Sequence, residues 1–358
     1  MVSPSVAVGD ETMRRKAKAA LLAAALWLGG MEAEAAERNP LAGTTIDFLV
    51  TGDPGDSYDT AARLFARYLE SALGEGTHVV VRANREAGGR LVLQQLFAGE
   101  PDGHLIAMVQ SGLLADQVLE GGEQTFDFAK ASWIGKLSDA SRLLVAGPAA
   151  PYVDFAGLKA ATGPQTISGI SATSFSTIEL WLLNAILGTH LQPVLGYNGS
   201  SKFLALLRGE VMLTSGSATA MQVVLDSPDV HLLLFTSRGL TADRFGQAPA
   251  LADVAPPEAR AIVDFIDANA QLGRLMMAPP GLSPEMAAAW QDAFAQVTSN
   301  PEFLAEGEKL GLEIAPLGGP EVSAIIAAMF ADTDGLRATL QGAIACGKSR
   351  AEDREDGC

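Results

Sequence analysis

From residue 44 onward, the sequence alternates between short aliphatic runs and stretches with helical periodicity. The run 46–50 has the composition of a strand, and the apolar residues 61, 64, 65, 68, 69 and 72 that follow it have the spacing of an amphipathic helix. Further strands are predicted at 79–81, 105–109, 143–145, 166–167, 194–195, 211–213 and 231–235, and further helices at 91–97, 177–187, 202–207 and 218–225. This order predicts an α/β protein whose sheets are mainly parallel and covered by helices.

The length and charge of the chain limit its organisation and its partners. A chain of 358 residues corresponds to about two domains. Because no linker-like segment separates the elements, we expect the second domain to be inserted into the first, with two connections between them. The 25 Lys and Arg against 42 Asp and Glu give a net charge of −17, which argues against binding to nucleic acid or to an anionic membrane surface.

The N-terminal segment has the three-part organisation of a secretory signal peptide. A basic stretch at 13–18 precedes an apolar run at 19–30 and the exit sequence Ala33-Glu34-Ala35-Ala36. The apolar run is shorter than the roughly 20 residues that span a bilayer, and the alternative is an ordinary buried helix. We expect residues 1–36 to be a signal peptide with an upstream extension, translation to begin at Met1 or Met13, and the mature protein to be periplasmic.

Two cysteines, Cys346 and Cys358, lie near the C-terminus. An oxidising periplasm permits a disulfide between them, although the sequence leaves their state open. Without nearby histidines they do not form a zinc site, which usually has four ligands, and we expect neither a metal nor a cofactor. Because the end of the chain is polar and charged, residues 346–358 are predicted to be a flexible tail.

Two loops that follow strands are rich in small and hydroxyl-bearing residues. One follows strand 46–50, and the other, residues 168–174, follows strand 166–167. Each leads into a helix, whose N-terminus offers free backbone N–H groups to an anion, and ligands of α/β sheets lie at the carboxyl ends of strands. The two loops would hold a carboxylate between them. The alternative is that the residues at both helix starts are plain N-caps: Asp56, Ser57, Ser174 and Ser176.

The segment 50–64, VTGDPGDSYDTAARL, is the first of several that occur in a recognisable order. The others are 79–81 with Asn84-Arg85 and 87–89, then 101–103, 126–127, 168–174, 197–200, 208–211, 236–238 and 278–285. Together they resemble the Bug-type solute-binding proteins, the periplasmic receptors of tripartite tricarboxylate transporters. The resemblance spans about residues 44 to 340.

The resemblance implies a two-lobed, periplasmic-binding-protein-like fold, also called a Venus flytrap, in which each lobe is a mainly parallel sheet flanked by helices. Lobe 1 would combine residues 41–141 with 265–345, and lobe 2 would be 142–264. The protein would be a monomer that passes a small carboxylate or zwitterion to membrane permease subunits. The ligand-binding residues it implies are Pro54, Gly55, Ser57, Asp59, Gln110 and Ser111 in lobe 1, and Ser171, Thr173, Ser174, Thr177 and Tyr197 in lobe 2.

Several residues depart from the family's pattern. Asp53 and Asp56 stand where the family usually has neutral Pro and Gly, and Thr177 stands where His is common. Additional carboxylates beside the pocket should repel a multiply charged ligand. We therefore expect a preference for a monocarboxylate, a zwitterion or a neutral polar molecule, unless both aspartates point into solvent.

Two other classes of function remain as alternatives. A hydrolase would need a nucleophile and base in suitable geometry, but none of the four histidines lies in a G-x-S-x-G or H-E-x-x-H motif, so we expect no enzyme. A receptor of the same fold could instead act on a membrane histidine kinase. Neighbouring genes would discriminate, because permease genes favour uptake and a kinase gene favours sensing.

Overall fold

The computed structural model describes residues 39–120, 126–238, 245–330 and 333–354. The expected signal peptide, residues 1–36, and Cys358 lie outside these ranges. The strands are β1 Thr45–Val50, β2 His78–Ala83, β3 Leu105–Gln110, β4 Ser132–Ser138, β5 Arg142–Ala146, β6 Gln165–Ser168, β7 Leu191–Val194, β8 Leu213–Ser217, β9 His231–Phe235, β10 Arg274–Ala278 and β11 Ile314–Gly318.

The α-helices that flank these strands are α1 Ser57–Leu73, α2 Arg90–Phe97, α3 Gly112–Glu120, α4 Phe155–Ala160, α5 Phe175–Leu187, α6 Ser201–Leu207, α7 Ala218–Leu225, α8 Leu251–Val254, α9 Arg260–Gln271, α10 Pro284–Thr298, α11 Pro301–Lys309, α12 Gly319–Met329 and α13 Thr333–Ala351. Among the described residues, none of the helices is both long and apolar enough to cross a membrane.

The strands form two sheets, one in each lobe. The first has the order β11-β4-β10-β3-β1-β2, and the second has the order β7-β6-β8-β5-β9. In the first sheet β1 to β4 run in one direction, while β10 and β11 run in the other. In the second sheet only β5 opposes the other four strands. The expected two-lobed α/β fold is confirmed, with sheets that are mixed rather than purely parallel.

The predicted apolar stripe at residues 61–72 lies on the buried face of α1. The side chain of Asp56 caps the start of the helix, and Gly74, with φ of 88°, ends it. Phe65 is fully buried and its ring contacts Phe48 of β1 and two phenylalanines of the helices α10 and α11. The stripe therefore fixes α1 on the first sheet, with its N-terminus at the carboxyl end of β1.

The final helix, α13, packs against α5 of the second lobe. Gly347 lies directly on the backbone of Trp181, where no side chain would fit, and its carbonyl accepts a hydrogen bond from Asn184 Nδ2 at 3.1 Å. Cys346 in this helix is disulfide-bonded. The structure thus differs from the expectation that residues up to 345 belong to lobe 1 and that a flexible tail begins at 346. The remaining boundaries of the lobes stay a prediction.

Candidate functional site

A cavity of about 650 Å³ lies between the two sheets, within the range typical of small-molecule sites. The carboxyl ends of β1 and β3 reach it from the first lobe, and those of β6 and β8 reach it from the second. The oppositely directed β5 begins there with Arg142. The cavity therefore occupies the edge at which α/β sheets bind ligands.

In the first lobe, the loop before α1 is held by its own carboxylates. Asp56 accepts hydrogen bonds from the backbone N–H groups of Asp53, Tyr58 and Asp59 at 2.8 to 2.9 Å. Asp59 is buried and accepts from the Gly55 N–H at 2.7 Å and from Arg63 Nε at 3.0 Å. The alternative that Asp56 is a plain N-cap is thus correct, since its carboxylate already accepts hydrogen bonds from N–H groups in the first turn of α1.

In the second lobe, the start of α5 is not capped by a side chain. Ser174 occupies the N-cap position, but its hydroxyl makes no capping hydrogen bond. Among the described residues, the N–H groups of Phe175 and Ser176 have no hydrogen-bond acceptor, and both residues line the cavity. A 13-residue helix therefore presents two free N–H groups and its positive end to the cavity, which is the arrangement that binds anions.

The structure brings together eight of the eleven predicted site residues. The cavity-lining residues among them are Gly55, Ser57, Gln110, Ser111, Ser171, Thr173, Ser174 and Tyr197. Pro54 does not line it, and Asp59 lies beneath the loop as described above. Thr177 is fully buried below Ser174, whose hydroxyl donates to its Oγ1 at 3.0 Å. Asp59 and Thr177 therefore do not line the cavity but hold, by hydrogen bonds, the two loops that do.

Sequence reasoning missed the cations of this site. Arg85, which follows β2, lies 3.3 Å from Asp53 Oδ2 and 3.6 Å from Asp56 Oδ2. The single charge of Arg85 offsets part of the negative charge of the two carboxylates that were expected to repel a multiply charged ligand, so it weakens that expectation. The Asn84-Arg85 pair was noted as part of the family resemblance, but nothing in the spacing placed its guanidinium in the cleft.

Arg142 and Lys202 contribute positive charge from the second lobe. Arg142 Nε lies 2.5 Å from Oε2 of Glu179, which is fully buried and also accepts from Thr236 Oγ1 at 2.8 Å. Lys202 Nζ donates to the carbonyl of Ser215 at 3.0 Å. Loss of hydration, together with the positive charges of Arg142 and Arg85, lowers the pKa of Lys202 to about 7. The ammonium form is therefore costly in the empty cavity.

A further group of charged residues reaches the cavity from the first lobe, where Arg90 and Asp116 line it. Arg90 at the start of α2 lies 3.2 Å from Asp116 and 2.5 Å from Glu120, both in α3. Burial raises the pKa of Asp116 to about 6, and Arg90 acts in the opposite direction. This pair ties two helices of the first lobe together beside the site.

The four histidines, all within the described ranges, are absent from the lining of the cavity. His78 and His231 begin strands, His104 lies 3.2 Å from Asp102, and His190 lies 3.1 Å from the carbonyl of Arg350. The described residues also contain no group of three or more His, Cys, Asp and Glu placed to hold a metal ion. Beside apolar residues and the carboxylates Asp56 and Asp116, the cavity lining contains hydroxyls, backbone N–H groups and cations, which are groups that bind anions.

A cleft between two helix-flanked sheets, with polar groups from both walls, defines a two-lobed solute-binding protein. The model of the tripartite tricarboxylate transporter family receptors, TctC, matches residues 61–330, and the chain belongs to this family. The Bug-type resemblance is thereby confirmed, and the family is one of substrate-binding receptors. No curated protein sequence matches the chain.

Solved structures share this fold at low sequence identity. The periplasmic binding protein BugD is 17 % identical, with a TM-score of 0.65 over 84 % of this chain and 97 % of its own. A protein from R. palustris solved with adipate is 17 % identical, with a TM-score of 0.68 over 83 % and 97 %. MatC from Rhodopseudomonas palustris, with bound malate, is 18 % identical, with a TM-score of 0.64 over 84 % and 98 %.

Proposed function

We propose that this protein is a periplasmic receptor that captures a small carboxylate-bearing or zwitterionic metabolite between its lobes and delivers it to the permease subunits of a tripartite tricarboxylate-type transporter. Residues 1–36 would direct its export. The receptor would bind its ligand without transforming it, and it would act as a monomer.

The uncapped start of α5 is the observation that carries this proposal. The free N–H groups of Phe175 and Ser176 and the hydroxyls of Ser171 and Ser174 form a neutral, hydrogen-bond-donating surface for one carboxylate. That the related structures hold adipate and malate supports the same class of ligand. Leu310 and Leu312 on the opposite wall offer an apolar surface for an aliphatic portion of the ligand.

Capture would proceed by closure of the lobes around the ligand. A ligand shifts the equilibrium between open and closed forms only by its difference in affinity for the two. Because the α5 surface belongs to one lobe and Ser57 and Gln110 belong to the other, a ligand that touches both favours the closed form. The closed receptor is then the form that docks on the permease.

A thermal-shift screen of the purified protein tests this function against mono- and dicarboxylates, amino acids and neutral polar solutes. A ligand at 100 times its dissociation constant stabilises by roughly 2.7 kcal/mol, enough to raise the melting temperature by a few degrees. Ser174→Leu should abolish the shift by filling the space before α5. Ser299→Leu, at an exposed serine outside the cavity lining, is the matched control and should retain it.

Failure to observe a shift with any solute, or an unchanged shift in Ser174→Leu, would contradict the proposal. Export is tested separately by fractionating cells and weighing the periplasmic protein, which should lack about 36 N-terminal residues, the length that the signal-peptide organisation predicts.

A further inference from the structure

Lys202 lies on the wall of the cavity that the second lobe contributes. It is the second residue of α6, and its side chain reaches β8, where Nζ donates to the Ser215 carbonyl at 3.0 Å. The next residue of β8 is Gly216, and a Cβ there would lie 2.5 Å from Nζ. Because residue 216 has no side chain, the partly buried ammonium group of Lys202 has room beside β8.

The other cations that line the cavity already have carboxylate partners. The pairs are Arg85 with Asp53 and Asp56, Arg90 with Asp116 and Glu120, and Arg142 with Glu179. In the described part of the chain, no carboxylate lies within ion-pair distance of Lys202. A positive group placed in a cavity without a compensating charge is available to an anionic ligand.

We propose that Lys202 recognises an anionic group of the ligand, and that capture of such a ligand takes up one proton from solvent. The inference rests on the proposed function and names the side chain that selects for charge in the same cleft. Lys202 pairs with the ligand's carboxylate as an ammonium, and the proton comes from water or buffer.

The charged groups around Lys202 explain why the proton is taken up on binding. Burial is the main cause that lowers the pKa of the Lys202 ammonium to about 7, and Arg142 of β5 and Arg85 after β2 lower it further. Glu179 of α5 acts in the opposite direction, so Lys202 of the empty receptor is partly deprotonated near neutral pH. A carboxylate beside Nζ favours the ammonium and raises this pKa. Binding and protonation therefore support each other above pH 7.

The position of Lys202 also favours a ligand with two anionic ends. The start of α5 follows β6, whereas the Lys202 ammonium lies on β8, the neighbouring strand. Both groups line the same cavity on the side of the second lobe, so a ligand with a carboxylate at each end can use both. A monocarboxylate held at α5 would leave Lys202 unpaired and gain nothing from it.

Isothermal titration calorimetry with adipate, malate and acetate tests the inference at pH 6.5 and pH 8.5, in two buffers of different ionisation enthalpy. With a free pKa near 7, and with the ammonium as the form that binds, the dissociation constant of a dicarboxylate should be about 25-fold higher at pH 8.5 than at pH 6.5. Close to one proton per ligand should be taken up at pH 8.5. Acetate should show little pH dependence.

Three variants separate the role of charge from that of packing. Lys202→Met keeps the length of the side chain, and its affinity should become independent of pH with no proton uptake. Lys202→Arg stays charged across this range and should also lose the pH dependence. Lys309→Met, at an exposed lysine outside the cavity lining, should behave as the wild type. The melting temperature of each free variant checks that it is folded.

The outcomes distinguish this inference from the proposed function. Binding of a dicarboxylate with no proton uptake, or with the same pH profile in Lys202→Met, overturns the role of Lys202 and leaves the receptor function intact. If no carboxylate binds at either pH, the proposed function fails and the inference fails with it. In the free protein, Lys202→Met should be more stabilising at pH 6.5 than at pH 8.5, and an equal effect at both would also overturn the inference.

Discussion

Two serines occupy the same position at the start of a helix, yet their hydroxyl groups make different contacts. Ser283 precedes α10, and its Oγ accepts a hydrogen bond from the Met286 N–H at 3.1 Å. Ser174 precedes α5 and makes no such bond. The same substitution, Ser→Ala, therefore removes a helix cap at one site and none at the other.

The expected magnitudes follow from these contacts. Loss of an N-cap costs about 1 kcal/mol, so Ser283→Ala should lower the free energy of unfolding by about that amount. Ser174→Ala should lower it by less than about 0.5 kcal/mol, because its hydroxyl is partly exposed and bonds only to groups within three residues of it in the chain. Loss of a hydrogen bond from Ser174 to the ligand's carboxylate should weaken binding by about 1.5 to 3 kcal/mol, or roughly 10- to 150-fold in dissociation constant.

Urea unfolding followed by circular dichroism measures the first effect, and calorimetry with a carboxylate that the screen identifies measures the second. Each variant serves as the control for the other, since Ser283 is absent from the cavity lining. The reasoning is refuted if Ser174→Ala destabilises the empty protein as much as Ser283→Ala does, or if the two variants bind the carboxylate equally well.

Three further substitutions test the packing and the charges of the protein. Phe65→Ala should cost about 3 to 5 kcal/mol, because the ring is fully buried among three others; a loss below 1 kcal/mol in urea unfolding would contradict this packing. The raised pKa of Asp116 means that its ionisation between pH 4 and pH 6 lowers stability by up to about 3 kcal/mol. Asp116→Asn should reduce the dependence of the free energy of unfolding on pH over that range. An unchanged dependence would show that Asp116 is not its cause. Gly347→Ala should displace α13 from Trp181 and change the tryptophan fluorescence, whereas Gly342→Ala, with open space around it, should not.

The sequence predicts best those elements whose signal is local. β1, β2 and β3, and the helices α1 and α5, follow from aliphatic runs and helical periodicity, and the structure has them within a few residues of the predicted positions. β7 and β8 are shifted, because the predicted apolar runs 194–195 and 211–213 overlap only one end of each strand. Apolar residues recur between 322 and 340 with a spacing that suits one long helix, but the structure divides this segment between two helices, α12 and α13.

The missed strands depend on tertiary contacts. β4 and β10 each contain a buried cation, Lys136 and Arg274, which no local pattern favours in a strand. Arg274 is held by Ser138 Oγ at 2.9 Å and by the Asp139 carbonyl at 3.1 Å, and these residues are far away in sequence. The sequence therefore gives no local signal for such a strand, because the contacts that stabilise it form only in the assembled sheet.

The candidate site was predicted only in part for a similar reason. Loops rich in small and hydroxyl residues are visible in the sequence, and eight of the site residues that the family resemblance implied line the cavity. The pairing of β5 with β8 and the packing of α6 bring Arg142 and Lys202 together, and Arg85 reaches the same cavity from the loop after β2 in the other lobe. No spacing in the chain relates them.

The different starts of α1 and α5 give the cleft a direction. Asp56 closes the first helix to anions, whereas the second helix remains open to them. A negatively charged molecule arriving from solvent should therefore attach to the second lobe before the first lobe touches it. The charge of the ligand would then determine its initial binding to the second lobe. The shape of the rest of the ligand would determine whether the first lobe can close around it.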